Sequence, residues 1–374
     1  MVFHFPPISG GGVVVIVGLA NTLAEMGHDV TVLTPDLDWE GEKYNPKLNE
    51  SIKIIKVNSP SKSNLKIAAR RCYPNMKKIG TKLCQEEKFD LILSIFHPFH
   101  LVPKAAVEVG KKFNIPVTIK IDDAFYEKSS GIKSLQRKIE KVYNSKTLRN
   151  ATKILVANEN MKKEVSQYYK VPLEKMEIIP NGIETGKFFS KSNVSKTIVF
   201  SGVMYYHRGI DMLLEALPKI VNRVPQVELL LLGIGPEMEK LQDIVNEKKL
   251  IKNVRFEGWV EREKIPEYLA DSAIGIGPLR STKVTQNALP IKVLEYIASS
   301  LPIIAIENTL PKEILENGKN GYFVKDSKEL SEKIILLLTD DVLRRKLGNA
   351  SKSMVDKFDW KYIVKQIVDK STNT

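Results

Sequence analysis

Short apolar runs alternate with amphipathic helical patterns along the whole 374-residue chain, and few architectures accommodate that alternation. The helical period is clear in Ile210–Val221, where apolar residues recur every third or fourth position and share one face. The strand-like runs, in contrast, are apolar almost throughout. Continuous apolar strands separated by helices are typical of parallel sheets covered by helices on both faces. The sequence therefore predicts an α/β fold.

The predicted strands form two consecutive sets, and the junction between them lies near Pro180-Asn181-Gly182. We therefore expect two doubly wound, Rossmann-like domains, residues 1–180 and 181–354, that face a central cleft. Ligands of such domains bind outside the carboxyl ends of the strands. The predicted strands are Asp29–Leu33, Ile52–Val57, Asp90–Phe96, Pro116–Ile121, Ile154–Ala157, Glu177–Ile179, Thr197–Phe200, Val227–Leu232, Val254–Phe256, Ala273–Ile276 and Pro302–Ile306.

A glycine triplet, Gly10, Gly11 and Gly12, precedes the first apolar helical pattern, Val13–Met26. Glycines in such a turn let the backbone approach a ligand closely. The spacing does not match the dinucleotide-binding fingerprint, however. Only Val2–Phe5 precede the triplet as material for a central strand. We therefore expect an incomplete first strand and an original N-terminus several residues upstream.

Glycines mark three predicted strand ends in the second half of the chain, at Gly202, Gly233 and Gly258. Arg208 stands at the start of the helix that follows the first of them. A cation beside free backbone N–H groups and a helix dipole suits a diphosphate. An arginine near a helix start is also a common surface residue, so the position alone leaves both interpretations open.

A carboxylate, Glu295, stands inside the otherwise apolar run Asn287–Ile304. Burying an unpaired charge is expensive, so this carboxylate needs a partner. The partner is either a ligand or Lys292, one helical turn earlier.

Eight segments in consistent order and spacing resemble a retaining glycosyltransferase of family four (glycosyl transferases group 1), which has the GT-B fold. The resemblance covers nearly the whole chain. It implies that a sugar passes from a nucleotide-sugar donor to a glycan or lipid-linked acceptor, with retention of configuration and without a metal or other cofactor. It also implies that a last helix, residues 355–374, packs back on the first domain, with Phe358 and Trp360 as anchors. The segments are "FPPISGGG", "IIPNGIETGKF", "FSGVMYYHRGIDMLLEAL", "LLLLGIGPEMEKL", "VRFEGWV", "PIKVLEYIASSLPIIA", "NGKNGYFV" and "FDW".

The same resemblance gives donor-binding roles to residues of the second half. Glu295 would accept hydrogen bonds from the ribose hydroxyls, because a carboxylate presents only acceptors to a diol. Arg208 stands where the family usually has a lysine on the diphosphate, and Gly202 begins the loop that admits the phosphates. The backbone from Gly258 to Val260 would face the base.

Several positions depart from the family pattern. Asn287 replaces the first glutamate of the family's glutamate pair, although an asparagine still hydrogen-bonds a sugar hydroxyl. Val203 replaces the usual arginine after the first loop glycine. Lys292, near the start of the helix begun by Pro290, is expected to supply the missing positive charge.

Two candidates for the catalytic polar group lie in the first half. Asp122 stands where the family usually carries a histidine near the anomeric centre, and a carboxylate there would stabilise a developing oxocarbenium ion. His97, from the preceding strand, is the alternative. A strand-end histidine with only a structural role explains His97 equally well.

The net charge of +13 is concentrated in two segments, residues 62–82 and 128–153. They form either a solvated basic face or a surface for an anionic membrane, because apolar residues at helical spacing accompany the charges. Nucleic acid is not expected as a partner, since no recognition module accompanies the charge. The two cysteines, Cys72 and Cys84, are typical of a reduced compartment. We expect a cytoplasmic protein, peripheral on the inner face of the membrane.

Two other functions stay open at this stage. One is a degenerate relative that binds a nucleotide or glycan without transfer, which the replacements at Val203, Asn287 and Asp122 favour. The other is a sugar-nucleotide epimerase on the same fold, which would act on the donor alone.

Overall fold

The computed structural model describes residues 1–122, 132–191 and 195–372, and it divides the chain into two compact units. The first unit comprises Met1–Gly182 together with Trp360–Thr374, and the second comprises Ile183–Asp359. The second unit thus begins two residues after the predicted start of the second domain, position 181, and ends five residues after its predicted end, position 354. Each unit is built from parallel strands and helices.

The first unit contains a two-stranded parallel sheet, β1–β2, and a four-stranded parallel sheet in the order β3-β4-β5-β6. Its strands are β1 (Thr31–Asp36), β2 (Lys53–Asn58), β3 (Ile92–Phe96), β4 (Val117–Ile121), β5 (Lys153–Val156) and β6 (Met176–Ile178). Its first helices are α1 (Gly11–Glu25), α2 (Leu65–Arg71), α3 (Tyr73–Glu86), α4 (Val102–Phe113), α5 (Ile132–Asn150) and α6 (Glu159–Tyr169).

The segment Val2–Phe5 does not form the expected first strand, although it lies between the two sheets. The Val2 N–H donates to the Leu33 carbonyl of β1 at 3.0 Å, and the Met1 amino group donates to the Leu93 carbonyl of β3 at 2.6 Å. Val2 and Phe5 are buried. The segment therefore fills the position of a central strand with hydrogen bonds too few for a ladder.

The second unit contains one six-stranded parallel sheet in the order β12-β11-β10-β7-β8-β9. The strand order reverses between β7 and β10, which is the topological switch point at which doubly wound sheets bind ligands. The strands are β7 (Thr197–Ser201), β8 (Glu228–Leu232), β9 (Val254–Gly258), β10 (Ile274–Ile276), β11 (Ile303–Ile306) and β12 (Gly321–Val324). The helices are α7 (Ile210–Arg223), α8 (Met238–Glu247), α9 (Ile265–Ala270), α10 (Lys283–Asn287), α11 (Ile291–Ala298), α12 (Ser327–Thr339) and α13 (Asp341–Lys352).

The core of the second unit follows from the sequence pattern. The face of α7 that includes Leu213, Leu217 and Ile220 is fully buried against the sheet. All eleven predicted strands have a counterpart, whereas β12 was not predicted. Gly321 shortens the apolar run of β12, and it is required because a Cβ there would overlap the Ile303 carbonyl of β11.

The last helix, α14 (Trp360–Thr372), belongs to the first unit, where it contacts α1 and β5. The buried Trp360 ring lies against two glycines, Gly18 of α1 and Gly182, and a Cβ at either position would overlap the indole. Phe358 is also buried, but it lies in a 3-10 turn of the second unit. The two expected anchors therefore belong to different units.

Among the residues described, no helix combines the length and the apolarity needed to cross a lipid bilayer.

Candidate functional site

Three glycines end adjacent strands of the second unit and bring their backbones close together. Gly202, Gly233 and Gly258 follow or end β7, β8 and β9, with φ angles of 120°, 132° and 75° that side chains rarely adopt. The Gly202 N–H donates to Leu232, and the Gly233 N–H donates to Gly258, both at 2.7 Å. A Cβ on Gly233 would overlap the Gly202 carbonyl. This edge of the sheet therefore presents backbone rather than side chains.

The loops after β7 and β8 are joined as one surface. The Met204 N–H donates to Ile234 at 3.0 Å, and the Glu237 N–H donates to Met204 at 3.1 Å. A Cβ at Gly235 would lie only 2.5 Å from the Met204 nitrogen. The glycines of both loops thus have a packing role in addition to any ligand role.

Lys292, on α11, places its ammonium group beside the first of these glycines. Its Nζ lies 3.3 Å from the centroid of the Phe200 ring and 3.3 Å from the position of a Cβ at Gly202. The residue is only 8% exposed, and its Nζ has no hydrogen-bond partner among the residues that the structure describes. Burial first, and the positive charge of Arg208 second, hold the pKa of Lys292 well below its ordinary value, while Glu295 acts in the opposite direction.

The 3-10 turn Tyr206–Arg208 carries the guanidinium of Arg208 and the imidazole of His207, and Arg280 holds the turn in place. The Arg280 guanidinium lies 3.8 Å from the centroid of the Tyr206 ring and donates to the Tyr206 carbonyl at 2.6 Å. Its other nitrogen pairs with Asp211 at 2.7 Å. Arg280 was not predicted from the sequence, because the residues that its guanidinium contacts lie 69 to 74 positions away along the chain.

His207 lies in the same turn as Arg208, and its ring stacks on Tyr205 with 5.3 Å between centroids. Burial, followed by the positive charges of Arg208 and Lys292, lowers the pKa of His207 to about 4. Lys292, His207 and the Arg208 guanidinium therefore share one electrostatic environment near the end of β7, the strand at the switch point.

Glu295 is 2% exposed and pairs with Arg262, whose Nη2 lies 2.6 Å from Glu295 Oε1. The internal partner is thus Arg262, in the 3-10 turn after β9, and not Lys292 one turn earlier. A carboxylate has about four acceptor positions, so one ion pair leaves capacity for hydroxyl donors. Next to Glu295, the Tyr296 hydroxyl accepts the Ser201 N–H at 3.0 Å and so fixes the end of β7.

Asn287 ends α10 and is buried, with its Nδ2 donating to the Lys283 carbonyl one turn earlier at 2.8 Å. The amide is therefore engaged in its own helix.

The two catalytic candidates of the first unit follow adjacent strands at the same edge. Because Phe96 of β3 pairs with Ile121 of β4, His97 and Asp122 come next to each other beyond the sheet. Asp122 Oδ1 pairs with the buried Lys120 at 2.9 Å, whereas Asp122 Oδ2 is buried without a hydrogen-bond partner among the described residues. Lys120 was not predicted, although a lysine inside an apolar strand is a visible signal. Asp123 lies outside the described residues.

His97 belongs to a cluster of three histidines. Its ring stacks on His100 at 4.3 Å between centroids, and the His100 ring meets His4 edge to face at 4.9 Å. Burial lowers the pKa of all three, to about 4 for His4 and well below the ordinary value for His100. These imidazoles are therefore held neutral, and a neutral imidazole both donates and accepts a proton.

The glycine triplet is exposed at the start of α1. Gly10 has a φ of 144° and requires glycine, whereas Gly11 and Gly12 are helical. A Cβ at Gly12 would meet no atom within 4 Å. The triplet therefore leaves the N-terminus of α1 open to a ligand or partner.

Among the described residues, no group of three His, Cys, Asp or Glu side chains is placed to hold a metal ion. Asp36, the last residue of β1, forms an ion pair with Lys62.

Two family models match successive parts of the chain. The model described as Glycosyltransferase Family 4 matches residues 9–187, and the model described as Glycosyl transferases group 1 matches residues 184–354. The chain is a glycosyltransferase of the family-four type. The two matches agree with the division into two units. The Glycosyltransferase Family 4 match lies largely in the first unit, and the Glycosyl transferases group 1 match lies wholly in the second.

Relatives of this glycosyltransferase span nearly its full length at low identity. An uncharacterized glycosyltransferase of Methanocaldococcus jannaschii, MJ1607, is 24% identical over 98% of this chain and 95% of its own. The alpha-monoglucosyldiacylglycerol synthase of Acholeplasma laidlawii is 23% identical over 98% of this chain and 93% of its own.

Solved structures show the same fold. The sucrose-phosphate synthase of Thermosynechococcus elongatus superposes with a TM-score of 0.76 at 18% identity, covering 96% of this chain and 92% of that one. Anabaena Alr3699/HepE in complex with UDP-glucose superposes with a TM-score of 0.75 at 14% identity, covering 100% and 99%. The fold of the glycosyltransferase is therefore GT-B.

Proposed function

We propose that this glycosyltransferase moves a hexose from a nucleotide-sugar donor to a glycan or lipid-linked acceptor, with retention of anomeric configuration and without a metal ion. The observation that carries the proposal is the buried amino group of Lys292, which lacks a hydrogen-bond partner among the described residues and lies beside Gly202 at the switch point. A buried cation without a partner is costly unless an anion completes it. A diphosphate is that anion.

The donor would lie along the glycine edge of the second unit. Lys292 and Arg208 neutralise the diphosphate, which takes the place of a metal ion, and the open backbone at Gly202 admits it. Glu295, held by Arg262, accepts hydrogen bonds from the ribose, and the backbone at Gly258 faces the base. The relative solved with UDP-glucose supports a nucleotide-sugar donor.

In the first unit, Asp122 and His97 are the catalytic candidates. The pairing of Lys120 with one oxygen of Asp122 fixes the carboxylate and leaves the other oxygen to face the reacting sugar. A fixed negative charge stabilises positive charge that develops at an anomeric carbon. The neutral His97 then serves as a hydrogen-bond donor or proton acceptor for a substrate hydroxyl.

A thermal-shift screen with UDP, GDP, ADP, CMP and TDP tests donor binding, with Glu295→Ala beside the wild type. Stabilisation by one nucleotide that the variant loses supports the proposal. NMR of the product formed from the matching nucleotide sugar, with and without EDTA, tests retention and metal independence. Product formed from the donor alone would instead identify an epimerase, and nucleotide binding without turnover would identify a degenerate binder.

We also propose that the acceptor is reached at an anionic membrane surface through α5. The exposed apolar residues Ile139, Val142 and Tyr143 lie at positions i, i+3 and i+4 of this helix, and Lys138 and Lys146 flank them. Exposed Arg70 joins α2 to α5 through Glu140 at 3.2 Å. The alpha-monoglucosyldiacylglycerol synthase among the relatives supports a lipid acceptor.

The charges of the first basic segment are less available than the sequence indicates. Lys62, Lys77 and Lys82 form ion pairs with acids that all lie outside the segment, namely Asp36, Glu108 and Glu86. The sharper test is therefore Val142→Glu, with Val342→Glu on α13 as control, because both valines are 72% exposed. Only Val142→Glu should reduce sedimentation with anionic vesicles. Equal binding of both variants would contradict the proposed surface.

A further inference from the structure

The proposed donor site contains more basic groups than it can charge at once. Lys292 and His207 both have a lowered pKa, and in each case the positive charge of Arg208 contributes after burial. Arg208 is always protonated. By themselves, the protein groups of this site therefore provide one permanent charge and two bases that resist protonation.

The groups around Lys292 do not compensate it. Glu295 favours its protonation, but the Glu295 carboxylate is already paired with Arg262 at 2.6 Å. The Phe200 ring below the Nζ offers only a cation–π contact. The buried Tyr296 hydroxyl is neutral, since burial raises its pKa far above the ordinary value. No carboxylate among the described residues is thus free to balance a charged Lys292.

We propose that the Lys292 amine takes up one proton from solvent when a nucleotide diphosphate binds, and that this protonation makes the site selective for a diphosphate. The inference rests on the proposed function and adds a mechanism of selection to it. A diphosphate brings two negative charges beside the Nζ and favours the charged amine. The proton comes from the buffer, so that each complex formed contains one more proton than the separate protein and ligand. His207 responds in the same direction to a lesser extent, because its ring is only half-buried.

The consequence is selection by charge. A ligand without a diphosphate leaves the amine uncharged and gains no affinity from it. A diphosphate instead accepts a charge-assisted hydrogen bond from the protonated amine, which raises its affinity about tenfold or more. Since the complex holds the extra proton, affinity should fall as the pH rises.

Isothermal titration with UDP-glucose and GDP-mannose, in buffers of different ionisation enthalpy at one pH, measures this proton uptake. The diphosphate of a nucleotide sugar does not titrate near neutral pH, so the ligand itself contributes no proton. We expect the wild type to take up about one proton per ligand bound. Lys292→Met, which keeps the side-chain volume over Phe200, should bind at least about tenfold more weakly with little or no uptake.

Lys352→Met is the matched control. Lys352 is another lysine of the second unit whose pKa is lowered by burial, and it donates to the Ala298 carbonyl at the far end of α11. Its replacement should leave proton uptake unchanged. His207→Gln, which alters no buried amine, should retain most of the uptake.

The outcomes separate the two proposals. Binding of a nucleotide sugar without proton uptake would overturn the inference and leave the proposed function in place. Unchanged uptake in Lys292→Met would do the same. If neither nucleotide sugar binds and the nucleotide screen also fails, the proposed function is wrong and the inference falls with it.

Discussion

Arg262 and Glu295 form an ion pair at 2.6 Å in which one partner is far more buried than the other, with 28% and 3% of the side chains exposed. The two residues are 33 positions apart, and only the path of the chain after β9 brings them together. Because the exposure is unequal, replacement of Arg262 and replacement of Glu295 should not lower the free energy of unfolding by the same amount.

We expect Arg262→Met to lower the free energy of unfolding by about 1–3 kcal/mol, because it leaves a buried carboxylate unpaired. Glu295→Gln should cost less, since Arg262 can turn its guanidinium to water. Urea unfolding of both variants and the double variant measures the difference. A larger loss in Glu295→Gln than in Arg262→Met would contradict this account.

The glycine edge gives a second matched pair. Gly233→Ala should lower the free energy of unfolding by about 1–3 kcal/mol or more and abolish nucleotide binding, because its Cβ would overlap the Gly202 carbonyl. Gly258→Ala should cost only about 1–2 kcal/mol, since a Cβ there meets no atom within 4 Å and only the left-handed backbone is strained. Urea unfolding and nucleotide thermal shifts compare the two. Similar losses in both would show that packing at the edge is unimportant.

A third pair lies on α1. Gly18→Ala should destabilise the first unit, because the new Cβ would overlap the Trp360 indole. Gly12→Ala, on the same helix, should be neutral or stabilising by about 0.5–1 kcal/mol through helix propensity, since nothing lies within 4 Å. Thermal unfolding of both variants, followed by tryptophan fluorescence, tests the difference. Stabilisation by Gly18→Ala would show that α14 does not pack as described.

The histidine cluster predicts how stability depends on pH. His4, His97 and His100 have pKa values below the unfolded value of about 6.5, so the unfolded chain binds protons first as the pH falls. Their contribution is present above about pH 6.5 and is lost as the pH falls toward 4. The double variant His4→Phe/His100→Phe should show a smaller loss over this range in urea unfolding. His28→Gln, an exposed histidine, is the control and should behave as the wild type.

Most of this architecture is predictable from the sequence, because the patterns that specify its strands and helices are local. Strands such as β8 are apolar at nearly every position, and a helix such as α7 repeats its apolar residues at the helical period, so both are encoded locally. The glycines at 202, 233 and 258 were also visible, because the turn geometry that requires them is local. The missed strand β12 begins with a glycine whose purpose is contact with β11.

The unpredicted features depend on distant partners. Nothing near Glu295 in sequence indicates Arg262, and nothing near Tyr206 indicates Arg280. The same applies to the first segment. Val2–Phe5 has the composition of a strand and lies between the two sheets of the first unit, but it is not a strand of either sheet. Assignments that depend on tertiary partners, such as the roles of Asp122 and Asn287, stay predictions until substrate binding is measured.

The path of the chain through the two units has a consequence for biosynthesis. The second unit is an uninterrupted stretch, Ile183–Asp359, whereas the first unit is completed only by α14, which is synthesised after the whole of the second unit. The first half of the chain is therefore made early but must wait for the whole of the second unit before α1 is covered. We expect the second unit to fold first during translation, with the face of α1 that later receives Trp360 exposed to chaperones until α14 has been synthesised.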